Sequence, residues 1–366
     1  MANDGKSQLE TRRVEILSTQ YQLTALTSDA QQLLTQHTVQ DSSTNRSYRR
    51  GQILFLQWAS DNNISDNKFS PIDLINFLSA MKSTHNYAVT TLQLFRSAVS
   101  QLHQNSSSFR DDPLLNKFIA TLTARAPPIR LHRQTIDLQP TFHYLSSLDN
   151  TSTSLTSRQG KLAFLLGVAC FFRPSDLQRI PLDSVRVVED SIISHLKDDL
   201  VVTVLALSIS LFSHFSTTRV SPDLAFLCLE VHCPKEKRQG CRIIKSFKVR
   251  AHTNSITLCP LQTFLVYAQR RPVCSSLSLF VNSISPDRPL QASTIQGWIS
   301  RLLRRSTSEP RVSLRSIASS LALASGIPKD DVVTMGNWSN SSTFENHYRR
   351  EHLSQFDFTS TLITLD

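Results

Sequence analysis

The feature that most constrains the fold is a helical pattern near the C-terminus, within residues 311–350. Apolar residues recur there at the three- and four-residue spacing of an amphipathic helix, and Arg315 lies within the pattern. The apolar positions are Leu314, Ile317, Ala318, Leu321, Ala322 and Ala324. Gly326 and Pro328 follow and are typical of a helix end. The sequence therefore predicts an amphipathic helix that carries Arg315 and stops before Pro328.

A turn and a further helix follow this element. Gly336 and Asn337 favour a turn, Trp338 comes next, and the hydroxyl residues at 341–343 are typical of a helix N-cap. The helix that begins there is predicted to carry Tyr348. An arginine, a tryptophan after a turn and a tyrosine ten residues later can converge on one pocket. Such a set of side chains would suit a phosphodiester.

Composition narrows the class of protein. The 366 residues, 40% of them hydrophobic, indicate a globular chain long enough for two domains. The net charge of +10 favours an anionic partner, and nucleic acid is the first candidate. The six cysteines form no Cys-x-x-Cys pair, so we predict reduced thiols and no metal site. No GxGxxG or P-loop motif occurs, so no nucleotide cofactor is expected. The N-terminus has no apolar leader, which favours an intracellular protein.

The order of apolar patterns predicts a mainly α protein with a small antiparallel β-sheet, an α+β fold. Residues 1–40 are polar and are predicted to be a flexible segment with at most one loose helix, from Leu9 to Leu34. Four short helices are predicted between 41 and 126, the first with an N-cap within residues 41–44 and the second with its cap at Ser70 before Pro71. A stiff basic linker with two prolines is predicted at 127–136. A second domain is expected over 137–366.

Basic residues cluster at three places in this organisation. They are Arg46, Arg49 and Arg50 in the first helical domain, Arg130 and Arg133 in the linker, and Lys235, Lys237, Arg238 and Arg242 in a predicted β-hairpin. A single basic residue is more often a solvated surface charge, but a cluster favours contacts with phosphates. We therefore predict that these clusters bind the backbone of DNA.

An apolar run from Leu200 to Phe215 does not fit this organisation. At about 16 residues it is shorter than the roughly 20 needed to cross a bilayer, so no membrane span is predicted. We interpret residues 192–222 as an insertion, with an artefact of gene prediction as the alternative. Sequencing of the spliced transcript separates the two.

The motifs resemble those of the tyrosine recombinases, the phage-integrase family, and most closely those of Crypton-like recombinases of eukaryotic mobile elements. Arg315, Trp338 and Tyr348 match the family's second box in order and spacing. Arg173, directly after an apolar helix, matches its first box. The resemblance covers about residues 40–355. It departs from the family at Val312, which stands where the family has a histidine three residues before the second arginine.

This resemblance implies a mechanism. Tyr348 would attack a phosphodiester of double-stranded DNA and form a 3′-phosphotyrosyl bond, while Arg173 and Arg315 would hold the non-bridging oxygens. Lys235 would protonate the leaving 5′ oxygen. The supporting residues would be Lys237 as the alternative proton donor, Trp338 as a packing and hydrogen-bonding group, Asp176 as the partner of Arg173, and His347 as a partial substitute for the absent histidine. No metal or other cofactor would be required.

The same resemblance implies a DNA-gripping core-binding domain at 41–126, a catalytic domain at 137–366 and a homotetramer on DNA, in the nucleus if the source is eukaryotic. Three alternatives remain open. The first is a DNA-binding descendant that has lost catalysis, which Val312 favours. The second is a type IB topoisomerase, which shares the chemistry. The third is a helical scaffold whose basic surface binds RNA or an acidic protein.

Overall fold

The computed structural model describes residues 2–22, 26–40, 42–128, 131–148, 153–189, 225–238 and 241–353. The predicted insertion at 192–222 lies outside these ranges. The chain forms two compact units, Met1–Ile129 and Arg130–Asp366. The described part of the first is helical, and that of the second combines helices with a small antiparallel sheet. This confirms the predicted fold class. None of the helices in these ranges has both the length and the apolar character needed to cross a membrane.

Six α-helices and one short 3-10 helix, Ser106–Phe109, make up the described part of the first unit. The α-helices are α1 (Ala2–Gln22), α2 (Ser28–Val39), α3 (Ser43–Asp61), α4 (Pro71–His85), α5 (Val89–Ser100) and α6 (Pro113–Ala124). Local capping explains where they begin. Ser70 and Asp73 form a reciprocal capping box with Pro71 at the first helical position, and Ser42 accepts a hydrogen bond from the backbone of Asn45. Capping positions of this kind set the starts of α3 and α4 from the sequence alone.

The N-terminal residues differ from the predicted loose helix. They form two helices, and Ile16 and Leu17 of α1 are buried in the core of the first unit. Arg13 is also buried, and it donates hydrogen bonds to Glu10 at 2.9 Å and to Gln52 of α3 at 3.1 Å. A few apolar residues on one face of α1 are enough to hold this helix on the unit, because they pack against an aromatic core. That core includes Phe55, Phe69, Phe77, Phe95 and Phe109.

The second unit contains eight further helices and five strands in its described part. The helices are α7 (Gln139–Ser147), α8 (Leu155–Cys170), α9 (Pro174–Gln178), α10 (Pro260–Arg270), α11 (Ala292–Leu303), α12 (Leu314–Ala324), α13 (Lys329–Met335) and α14 (Ser341–His347). The strands are β1 (Arg186–Glu189), β2 (Ala225–Glu230), β3 (Lys237–Arg238), β4 (Cys241–Arg242) and β5 (Ser246–Arg250). Strands β1, β2 and β5 form an antiparallel sheet, and β3 and β4 form a short hairpin between β2 and β5.

Helix α8 is the centre of the second unit. It is buried along most of its length, as its apolar composition predicts, and α10, α11 and α12 pack against it. Its contact with α12 is close, because a side chain at Gly167 would overlap the Cδ2 atom of Leu314. This close approach brings Arg315, the next residue of α12, beside the end of α8.

Candidate active site

Arg173 is placed by the end of α8 and the start of α9. Phe171 ends α8 with a positive φ of 55°, and Arg173 follows as the N-cap residue of α9. Asp176, three residues on, accepts a hydrogen bond from the Arg173 backbone at 3.0 Å, as a capping carboxylate does. Its carboxylate also lies 3.6 Å from the Arg173 guanidinium. The predicted pairing of these two residues is present in the structure.

Arg315 is buried in the same site, with 3% of its side chain exposed. Its guanidinium donates to the backbone oxygen of Phe171 at 3.0 Å and to that of Gly336. It also lies 3.6 Å from Asp176 and 4.5 Å from the centre of the Trp338 ring. A buried cation requires such partners, since an unpaired charge in the protein interior is costly. These contacts fix Arg315 between the end of α8 and the turn after α13.

Trp338 forms one wall of the site. The turn that precedes it contains Asn337 with a φ of 52°, which agrees with the turn predicted from the sequence. The Trp338 ring is buried against Phe171 and Phe344, with ring centres 6.3 and 5.2 Å away. It contacts the Tyr348 ring at 4.9 Å. Trp338 therefore links the arginine side of the site to the tyrosine side.

Tyr348 lies one residue beyond α14 rather than within it. The predicted helix stops at His347, and the backbone of Tyr348 leaves the helical region with a φ of −121°. The reason is tertiary, because the Tyr348 carbonyl accepts a hydrogen bond from Ser316 of α12 instead of continuing the helix. The Tyr348 hydroxyl accepts a hydrogen bond of 3.1 Å from Arg173. The structure thus brings Arg173, Arg315, Trp338 and Tyr348 together in one site.

Glu236 is the site residue that sequence reasoning missed. Its carboxylate accepts a hydrogen bond from Arg173 and lies 3.7 Å from Arg315. It is the middle residue of Lys235-Glu236-Lys237, where a basic hairpin tip was predicted. The unmatched acidic residue in that run was the only available signal. Which of the three side chains enters the site is decided by the path of the hairpin.

The lysines of this hairpin differ in position. Lys235 is exposed and makes no hydrogen bond or ion pair with the described residues, and the Lys237 side chain is not among those described. Lys245, just before β5, lines the pocket formed by Asp176, Glu236 and Arg315. Its ammonium group donates to the backbone oxygen of Thr334. Lys245 is therefore a third lysine to consider as a proton donor, beside Lys235 and Lys237, and the sequence did not single it out.

The charges in the site shift the pKa values of its members. Burial would raise the pKa of Tyr348, but the Arg173 hydrogen bond and the charges of Arg173 and Arg315 outweigh it and lower that pKa. Burial, and then repulsion by Arg173, lowers the pKa of Arg315 to about 10. Burial raises the pKa of Asp176 although both arginines oppose this change. A tyrosine beside two cations is thereby favoured as an oxygen nucleophile.

Neither the His347 side chain nor the Val312 side chain makes a hydrogen bond to the two arginines or to the Tyr348 hydroxyl. His347 is exposed at the end of α14, without a hydrogen bond to any described residue. The predicted substitution of His347 for the missing histidine therefore has no support in this geometry. Val312 is partly buried and packs against the hydrophobic core of the second unit. Within the described ranges, no group of acidic, histidine and cysteine side chains has the arrangement of a metal site.

The arginines predicted to contact DNA make several contacts within the protein. Arg49 donates to Glu10 at 2.8 Å, Arg50 donates to the Tyr87 hydroxyl at 2.9 Å, and Arg242 donates to the backbone oxygen of Pro234 at 2.8 Å. Arg46 and Arg133 are exposed, whereas Arg130 and the Arg238 side chain lie outside the described set. These contacts give Arg49, Arg50 and Arg242 structural roles, and their binding to DNA stays a prediction.

Comparisons with known proteins give little beyond this geometry. No protein-family model matches the sequence, and no curated protein matches it. Among solved structures, a crystal structure of XerA recombinase is similar to this chain, with 15% identity and a TM-score of 0.36. The match covers 93% of this chain and 94% of that chain. A similarity at this level assigns neither a family nor a function, so the function is inferred from the contacts of the site itself.

Proposed function

We propose that this protein breaks and rejoins DNA through a covalent phosphotyrosine intermediate, as a tyrosine recombinase does. The observation that carries this proposal is the hydrogen bond from Arg173 to the Tyr348 hydroxyl, in a site that also holds Arg315. A tyrosine oxygen and two guanidinium groups are the elements needed for nucleophilic attack on a phosphodiester. The net charge of +10 favours a polyanionic partner for the same site.

In the proposed reaction the Tyr348 oxygen bonds to phosphorus and the bond from phosphorus to the 5′ oxygen breaks. Tyr348 gives its proton to solvent water as the bond forms, and the lowered pKa of this tyrosine favours that transfer. Arg173 and Arg315 stabilise the negative charge on the non-bridging oxygens. Attack of a free 5′ hydroxyl on the phosphotyrosine reverses the steps and rejoins the strand.

The leaving 5′ oxygen needs a proton, and three lysines are candidates to supply it. Lys235 and Lys237 are the residues implied by the resemblance, and Lys245 is the one that lines the pocket. Each is replaced by alanine and tested on DNA whose leaving oxygen is replaced by sulfur. A thiolate leaves without a proton donor near neutral pH, since the pKa of a thiol is about 8.5. The variant whose cleavage defect disappears with this substrate identifies the donor.

Covalent trapping on a nicked duplex tests the proposal as a whole. The short fragment that carries the free 5′ hydroxyl diffuses away after cleavage, so the protein–DNA adduct accumulates and is seen by denaturing electrophoresis. Tyr348→Phe should abolish the adduct and leave non-covalent binding nearly unchanged, because only the nucleophilic oxygen is lost. The matched control is Tyr144→Phe, since the Tyr144 ring stays available for its stacking contact with Arg305. An adduct that persists in Tyr348→Phe would contradict the assigned nucleophile.

A DNA-binding descendant without catalysis is the second candidate function. It is favoured by Val312, which packs in the core and offers no donor to a phosphate. Binding of DNA without any adduct, in the parent and in the lysine variants, would support this candidate. Assembly as a homotetramer on DNA is also proposed, and the mass of the complex measured by light scattering checks it. Kinship with Crypton-like elements stays a prediction from the sequence.

A further inference from the structure

Three buried polar atoms in this site have no hydrogen-bond partner among the described residues. They are the Nε atom of Arg315, the Nε1 atom of Trp338 and the Oδ1 atom of Asp176, and only six such side-chain atoms occur in the described ranges. Each unpaired buried polar group costs about 1–3 kcal/mol. Three of the six such atoms lie in this one site, so half of the unpaired groups are concentrated there. Two of the three atoms are N–H donors. Unused donors beside two guanidinium groups indicate a site for an anion.

An anionic group of the protein already occupies the arginine pair. The Glu236 carboxylate accepts a hydrogen bond from Arg173 and lies 3.7 Å from Arg315. With Asp176, it balances the two positive charges. The two carboxylates are held differently, however. Asp176 accepts a backbone hydrogen bond from Arg173 at the start of α9 and is 5% exposed, whereas Glu236 is on the loop between β2 and β3 and is 16% exposed.

Little room remains beside Glu236. The space inside the pocket is about 10 Å³, which is at the lower limit of what holds one water molecule. A phosphate group does not fit while the carboxylate is in place. A phosphodiester carries one negative charge, as the carboxylate does, so exchange of one for the other leaves the net charge of the site unchanged. The displaced carboxylate would move toward solvent, to which it is already partly exposed.

We propose that Glu236 is an internal ligand of the arginine pair, which a DNA phosphate must displace before it binds. This inference rests on the proposed function, and it adds that the site is closed in the DNA-free protein. The measured affinity for a phosphate then equals the affinity of the open site multiplied by the fraction of molecules in which Glu236 has moved away from the arginines. Glu236 thus restricts the reaction to ligands that bind strongly enough elsewhere to displace the hairpin loop.

Titration with inorganic phosphate at constant ionic strength tests this proposal without requiring cleavage. Binding is measured by calorimetry for the parent, Glu236→Gln and Glu236→Ala. Both variants should bind phosphate at least tenfold more tightly, because the competing charge-assisted hydrogen bonds are weakened or lost. The matched control is Glu230→Gln on β2, which makes the same charge change and retains a side-chain acceptor for Ser246. Its affinity should equal that of the parent.

The outcomes separate this proposal from the proposed function. Equal phosphate affinity in the parent and both Glu236 variants overturns the proposal, and so does an equal gain in Glu230→Gln. Tighter phosphate binding in both Glu236 variants, without any DNA adduct in the trapping assay, supports the internal ligand and contradicts the recombinase reaction. If Glu236→Ala unfolds, recovery of cooperative unfolding in phosphate supports the proposal, and failure to recover in phosphate counts against it.

Discussion

Replacing Gly336 with alanine should disrupt the site by direct steric overlap. A Cβ atom at this position would lie 2.1, 2.3 and 2.6 Å from three ring atoms of Trp338, closer than non-bonded carbon atoms approach. The backbone itself would accept alanine, since φ is −70° and ψ is −7°. The cost therefore comes from the ring contact, and the ring cannot move freely because Phe344 packs on it.

The expected magnitude follows from these contacts. Overpacking of a filled core typically costs about 1–3 kcal/mol. The Gly336 carbonyl also accepts a hydrogen bond from the buried Arg315, and loss of a hydrogen bond to a charged group adds about 1.5–3 kcal/mol. The lower conformational entropy of the unfolded alanine variant offsets only about 0.4–1 kcal/mol of this loss of stability. We expect Gly336→Ala to lower the free energy of unfolding by about 2–5 kcal/mol and to abolish adduct formation.

Gly297→Ala is the matched control in the same unit. Gly297 lies in the exposed interior of α11, where an added Cβ has no neighbour within 4 Å. The same substitution should there raise stability by about 0.5–1 kcal/mol, because alanine favours a helix. Urea unfolding followed by circular dichroism measures both variants. A Gly336→Ala protein as stable as the parent, with unchanged cleavage, would refute the packing of Trp338 on the turn.

Three further predictions concern the same unit. In urea unfolding, Trp338→Phe should change the free energy of unfolding by only about 1 kcal/mol, because removal of an unpaired indole N–H offsets the lost apolar area. Trp338→Ala should lower it by about 3–5 kcal/mol in the same assay. The pKa of Tyr348 should lie below 10 in a difference ultraviolet titration against Tyr348→Phe, and Arg173→Met should raise it. The free energy of unfolding should increase with pH between this lowered pKa and the unfolded value near 10, because the folded state loses the proton first. Arg350→Met should destabilise the unit by about 1.5–3 kcal/mol in the same urea assay, since it removes a charge-assisted hydrogen bond to Glu309, whose carboxylate stays partly solvated, and a loss under 1 kcal/mol would make that ion pair unimportant.

The sequence determined the elements whose ends depend on neighbouring residues. Ser42 and Ser70 cap helices at the predicted positions because an N-cap hydrogen bond joins residues three apart. The pattern around Arg315 predicted α12, and the mainly α fold class was confirmed. The pairing of Arg173 with Asp176, which the resemblance implied, also joins residues three apart. In each case the interacting groups are close in the chain, so the pattern itself contains the information.

Tertiary structure decided which of these elements meet and what lies between them. Arg173 is 63 residues from Glu236 and 175 residues from Tyr348, and no periodicity reports such contacts. The close packing of α8 on α12 brings the arginines together, and the Tyr348 carbonyl ends α14 by bonding to Ser316. Glu236 enters the arginine pair because of the path of the hairpin. A one-residue change in that path would present a lysine instead, so the charge at the centre of the site depends on the folded backbone rather than on composition.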